Sequence, residues 1–308
     1  MGEAITHVAP PPADSASTPS TLLPPWRPGS DEPAGPVKIA AATFVESVGT
    51  WRPSTARSAP PPIAGAKRSI ADSTTLAQRL AARGYARNLV PDAGLLDATS
   101  PAAVTRVRYP QLGGLTDSEA SVVVSAVQFL DGGREHRDVL IDVRLRKRAG
   151  LWTIIPSPSV ADRPALRSTD PSTAASTVLA NPRIAMSDPT RAEIAARVID
   201  DRILRLLTGM SGKYHLTVQV ARTGHPGTVF PTPRTSNHAR GLAVDIRAVN
   251  GRNVVDIAQT DPLLAEFMLA ARRLGSTEVG GPIPISGPEF FTDPVHQDHI
   301  HIGIDEPQ

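Results

Sequence analysis

The chain has 308 residues, 40% of them hydrophobic and only 4% aromatic, with 31 prolines, 23 glycines and no cysteine. That length allows one large domain or two ordinary ones, whose cores must be aliphatic, and the missing thiols exclude disulfides, cysteine-ligated zinc, iron–sulfur clusters and thiol nucleophiles. A formal charge of +2, from 32 Lys+Arg against 30 Asp+Glu, is not that of a polycation, so nucleic acid is not an expected partner.

Thirteen of the 31 prolines fall within residues 1–65, mixed with Ser, Thr and Ala. Residues 1–35 read as a disordered, proline-rich leader that cannot bury a core. The opening Met1-Gly2-Glu3-Ala4 is not the basic-then-apolar start of a signal peptide, and no run reaches the roughly 18 apolar residues of a membrane span. Neither an export signal nor a transmembrane segment is therefore expected. Helical periodicity covers Val37 to about Trp51 and Asp72 to Arg87, where Leu76, Leu80 and Ala81 share a face.

From Thr105 to Ile155 the period becomes two. Val122 and Val124 alternate, then Val139, Ile141, Val143 and Leu145, then Trp152 and Ile154, with turns at Asp131-Gly132-Gly133 and Ala149-Gly150. Residues 36–160 are thus expected to form an α+β accessory domain, helices followed by a β-meander, which weakly resembles the cystatin-like or NTF2-like folds. The run Arg144-Leu145-Arg146-Lys147-Arg148 alternates like a strand and reads as a solvated sheet face.

Residues 156–187 are again rich in Pro, Ser, Thr and Ala, and 161–187 reads as the interdomain linker. Ser187-Asp188-Pro189 looks like an N-cap followed by proline in the first helical turn, and Ile194, Val198, Ile199, Ile203 and Leu206 form one stripe ending at Gly209. Strands at Leu216–Ala221 and Gly241–Ile246, a helix at Pro262–Leu274 and a last strand at His299–Ile304 follow. Residues 188–308 are therefore expected to be a second α+β domain, a small antiparallel sheet with flanking helices.

Six of the eight histidines lie between His215 and His301, so imidazole chemistry belongs to this second domain. In an extended 299–304 segment, His299, His301 and Gly303 project from one face while Ile300, Ile302 and Ile304 fill the core. In the other strand Leu242, Val244 and Ile246 take the core face, leaving Gly241, Ala243 and Asp245 opposite. With the strands adjacent, His238, Asp245 and His301 converge as two imidazoles and a carboxylate. Three protein ligands with an open fourth position make a catalytic rather than a structural zinc site. His299 then sits where it can donate to a developing oxyanion, and Asp298 where it can take a proton from water. Parity favours His299 as site-facing and turns Asp298 away unless the chain bends at Gln297. His215 and His225 read as surface or core-edge histidines.

Ser236-x-His238-x-x-Gly241-x-Ala243-x-Asp245, followed by Asp298-His299-Ile300-His301, resembles the zinc peptidases of the D-alanyl-D-alanine carboxypeptidase, murein endopeptidase and hedgehog-like superfamily, over about residues 210–305. The stretch Thr277-Glu278-Val279-Gly280 through Asp293 is similar to a segment of secreted actinobacterial relatives. The resemblance implies Zn2+ on His238, Asp245 and His301, a peptidoglycan stem peptide or cross-bridge as substrate, and an extracytoplasmic, cell-wall location. Where carboxypeptidase-type relatives carry Glu-x-x-His this chain has Asp298-His299-Ile300-His301, and the extra His296 suits the endopeptidase pattern, so the general base is one of His299, Asp298 and His296. Arg222, at a strand end, is the arginine candidate for a substrate carboxylate. Ser236 is a second substrate-side candidate whose hydroxyl also suits orienting the motif loop. The rival expectation is a non-catalytic zinc-containing wall-binding module whose N-terminal domain recruits a protein partner.

Overall fold

The computed structural model describes residues 23–52, 75–157, 166 and 170–305. The expected helix start at 72 and most of the expected leader lie outside them. The molecule is mixed α/β, with antiparallel pairing dominating both sheets. Among the described residues no helix is long and apolar enough to cross a membrane.

The first unit is a four-stranded meander, β1 (Ala103–Leu115), β2 (Glu119–Leu130), β3 (Glu135–Arg148) and β4 (Leu151–Ile155), paired in that order. Helix α1 (Gly35–Val48) lays Val37, Ala41, Phe44, Val45 and Val48 on one face of this sheet, the i, i+4, i+7, i+8 stripe that a 3.6-residue period requires. Short helices α2 (Leu76–Ala82), opened by a Thr75–Gln78 capping box, and α3 (Val90–Ala93) close the rim. Strand β2 is buried along nearly its whole length because its second face also meets protein: Val123 and Leu140 pack on Val220 of the second unit. The leader boundary at 35 falls late. Trp26 packs against the first core, its backbone N–H donates to Glu46 Oε1 (3.2 Å), and Arg106 Nε donates to the Leu23 carbonyl (2.9 Å). The basic run is only partly solvated, since Arg144 is buried beside Asp142 at 2.7 Å.

The second unit begins earlier than expected. Within the supposed linker lie α4 (Thr173–Ala180), capped by Ser172, and β5 (Ile184–Met186). Ala175 and Val178 are fully buried in its core, so a small-residue composition that resembled a tether is a close-packed helix. The helix expected over 188–209 is two. Helix α5 (Asp188–Ala195) starts on Ser187 as expected, but Arg197 turns to φ 59°, and Asp200 caps α6 (Asp201–Ser211) by accepting from Arg202 N at 2.8 Å. An aspartate satisfying orphan helix N–H groups favours a new start over continuation.

The remaining elements are β6 (Leu216–Val220), β7 (Ala243–Val249), β8 (Arg252–Asn253), α7 (Pro262–Arg273), β9 (Glu278–Gly280), β10 (Phe290–Phe291) and β11 (Ile300–Gly303). The sheet runs β10-β9-β11-β7-β6-β5, with β8 on β7, and only the outer pairs β10/β9 and β5/β6 are parallel. Its core is aliphatic, Ile194, Ile203, Leu207, Val244, Ile246, Ile300 and Ile302 among its members.

Gly241 marks the start of β7 and ties it to the α5–α6 turn. It has φ 72°, a methyl on it would run into the Val198 carbonyl, and its own carbonyl accepts from Asp200 N at 2.9 Å. Left-handed backbone disfavours any side chain, and here the obstruction is main chain that cannot rotate away. Gly241→Ala is expected to cost at least about 2 kcal/mol. Its denaturant midpoint drops at unchanged m; a wild-type midpoint would refute this account of the turn.

Candidate metal centre

Strand register places the centre. His301 stands directly opposite Asp245 across the β11/β7 pair, with Ile300 opposite Ile246 and Ile302 opposite Val244. The isoleucines and Val244 enter the core on one face, so alternation sends His301 and Asp245 together to the other. His238 arrives on the 3-10 turn His238–Arg240 that Gly241 terminates. Ser236 Oγ accepts from His238 N at 3.2 Å, which fixes the turn, and the serine also lines the cavity described below.

The three donor atoms form a nearly equilateral triangle. His238 Nε2 to His301 Nδ1, His238 Nε2 to Asp245 Oδ1 and His301 Nδ1 to Asp245 Oδ1 are each 3.1 Å. Donors bound at 2.0–2.1 Å to a tetrahedral ion stand about 3.3–3.4 Å apart, so the triangle fits one small divalent cation. Each donor has an outer partner. His238 Nδ1 donates to the Ala221 carbonyl at 2.5 Å, leaving Nε2 as the free lone pair. His301 Nε2 faces Glu278 Oε2 at 3.3 Å, leaving Nδ1 inward. Asp245 Oδ2 accepts from Gln111 Nε2 at 2.6 Å, leaving Oδ1 inward. Such partners set tautomer and ring direction in metal sites.

The electrostatics also suit a cation. Burial opposes charge on Asp245, but the imidazoles of His238, His299 and His301 grouped around it outweigh it and hold the carboxyl well below the usual range. Burial likewise pushes against Glu278, and the bond and charge of His301 with the Asn237 amide hold it at about 2. Between these two carboxylates His301 rises to about 9 despite its burial. A site that retains a proton so strongly is one where positive charge is stabilised. Glu278→Gln keeps the shape and removes that charge, and if the triangle holds a divalent cation its affinity is expected to fall about 10–100-fold. Competition with a chromophoric chelator reads this, and unchanged affinity would show that Glu278 has no part in orienting His301.

His225 is half-buried, as a core-edge histidine would be, but it also belongs to the site and lines its cavity. It brings a ligand atom to within 4.8 Å of those of His238 and Asp245, a group that could hold a metal ion. Its ring lies on the His238 ring, 3.9 Å between centroids and 17° between planes, with Nδ1 at 2.9 Å from the Pro226 carbonyl. Imidazole lone pairs lie in the ring plane, so two nearly parallel stacked rings do not aim at one point. His301, at 62° to His238, does converge, which makes it the better-aimed candidate for a third donor.

The remaining histidines border the triangle. His299 Nε2 is 3.8 Å from Asp245 Oδ1, while its Nδ1 meets Asp298 Oδ1 at 2.6 Å. Asp298 is fully buried, and its Oδ2 takes Lys38 Nζ at 2.5 Å and Leu112 N at 3.0 Å. Burial raises its pKa, but Lys38 and His299 more than reverse this, so it is an ionised, enclosed carboxylate turned from the triangle, as strand parity implied. His296 Nδ1 lies 2.8 Å from Asp293 Oδ1, and its ring stands 4.9 Å from that of His299.

A cavity of about 270 Å³ opens over this group, lined by His225, His238, His296, His299 and His301 with Phe230, Phe291, Arg234, Glu278 and Asp293. Its wall on one side is Leu112-Gly113-Gly114 of β1. Arg222 is not in the lining. Its backbone N–H is held by Glu193 Oε2 at 3.1 Å, and the arginine at the cavity is Arg234. Sequence reasoning thus missed Gln111, Lys38, Glu278 and His225, for which no local spacing gives a signal.

No family model, no curated protein and no solved structure matches this chain.

Proposed function

We propose that the protein is a zinc-dependent peptidase acting on amide bonds of peptidoglycan stem peptides or cross-bridges, and therefore works outside the cytoplasm at the cell wall. What carries the reading is the triangle of His238, Asp245 and His301 donors, each backed by an outer partner and opening on a cavity beside His299 and His296. Zinc held there would supply Lewis acidity toward the scissile carbonyl and toward water. The substrate class rests on the resemblance of the Ser236-to-Asp245 and His299-to-His301 motifs to zinc peptidases of the cell wall.

The chain's own groups divide the remaining work. The ionised Asp298 accepts a hydrogen bond from His299 Nδ1–H and so leaves the Nε2 lone pair toward the cavity, a carboxylate–imidazole pair of the kind that takes a proton from attacking water and returns it to the leaving amine. His299 thus becomes the proton carrier and Asp298 a positioning residue, while His296, held by Asp293, offers a second imidazole nearby. Arg234, as the cation of the lining, suits a substrate carboxylate better than Arg222.

A rival reading, the non-catalytic zinc module, gains weight from His225: if that ring turned to become a fourth ligand, no corner would remain for chemistry. Mass spectrometry of muropeptides incubated with the zinc-loaded protein separates the two. The peptidase reading expects products heavier by one water with new amine termini. Retention on sacculi with no such products would favour the module.

A further inference from the structure

We propose that the N-terminal unit is a working part of the metal centre, because Gln111 fixes the metal-facing carboxylate of the other unit and so links cation binding to the docking of the two units. This rests on the metal-centre reading above.

Gln111 and Leu112 are consecutive on β1, and each reaches a different carboxylate of the second unit. Gln111 Nε2 donates to Asp245 Oδ2 at 2.6 Å, and the Leu112 N–H donates to Asp298 Oδ2 at 3.0 Å. The β1/β2 register shifts between Leu112 and Gly114, the kind of bulge that redirects a strand beside a site. Gly114 lets it approach closely, since a methyl there would run into the Phe230 ring, and a methyl on Gly113 would crowd Ser121 and Val123 of β2 as well as Pro226. Lys38, fully buried on α1, completes the contact by pairing with Asp298 as well as Glu32 and Tyr109.

The amide of Gln111 is costly where it lies. The side chain is wholly buried and its Oε1 has no hydrogen-bond partner among the described residues. A thioether of the same length would fill the space without an orphaned acceptor. What the amide adds is one directed donor on the oxygen of Asp245 that does not face the triangle, so that Oδ1 stays free for the ion. Outer hydrogen bonds of this sort tune metal affinity by about 10–100-fold. Linkage is reciprocal: if docking of β1 raises cation affinity, the cation must tighten docking by the same factor.

Two measurements on the full chain test this. Gln111→Met, with its fold checked by circular dichroism, is expected to bind zinc about 10–100-fold more weakly than wild type in chelator competition; unchanged affinity overturns the proposal. On wild-type protein, amide hydrogen exchange is expected to slow in residues 103–115 and 35–48 when zinc is added, although neither segment holds a ligand of the triangle. Exchange there that ignores zinc overturns the proposal too, and decides alone if the variant does not fold. Wild-type protein that binds no zinc overturns this together with the metal centre, whereas zinc binding without either effect overturns only the role of the N-terminal unit.

Discussion

Replacing His238 or His301 with alanine is expected to abolish stoichiometric zinc uptake and, with it, release of muropeptides, while leaving the protein folded. Each substitution removes one corner of a triangle whose sides are all 3.1 Å. Two donors remain, and the loss must exceed the about 10–100-fold that removing an outer partner costs. Neither side chain sits in the apolar core, which lies on the opposite face of β7 and β11 behind Val244, Ile246, Ile300 and Ile302. Elemental analysis after dialysis and circular dichroism together read the outcome. A His301→Ala protein that keeps a full equivalent of zinc would shift the assignment to the His225, His238 and Asp245 group.

His299→Ala is expected to behave differently. Zinc content stays at one equivalent, because His299 Nε2 is 3.8 Å from Asp245 Oδ1 and outside the triangle. Turnover falls by about 10²–10⁴-fold, the usual contribution of a positioned acid–base group, with KM nearly unchanged. Loss of zinc in this variant would make His299 a ligand, and full turnover would move proton transfer to His296, the neighbouring imidazole at 4.9 Å.

The parts of this site that were legible in the sequence are those whose logic is local. Two-residue alternation in Ile300, His301 and Ile302, and again in Val244, Asp245 and Ile246, announces which side chains share a face, and the register of β11 on β7 then brings His301 opposite Asp245. The same parity separated His299 from Asp298. The meander was legible for the same reason. What stayed hidden depends on contacts across long stretches of chain. Gln111 meets Asp245 across 134 residues and Leu112 meets Asp298 across 186, and no periodicity encodes such a meeting. Glu278 belongs to a strand of three residues, too short to show a pattern. The stretch 173–186 was misjudged because Ser, Thr and Ala are shared by tethers and by tightly packed small helices; only the burial of Ala175 and Val178 tells them apart. The break at Arg197 lay inside an unbroken apolar stripe, where capping by Asp200 prevailed over periodicity.

Anomalous diffraction at the zinc edge, from crystals of the 308-residue chain grown with the metal, tests the central claim most directly. The expected map has one peak at bonding distance from His238 Nε2, Asp245 Oδ1 and His301 Nδ1, with no fourth protein atom in contact. A peak held by His225 as well, or one that leaves His301 aside, would contradict it.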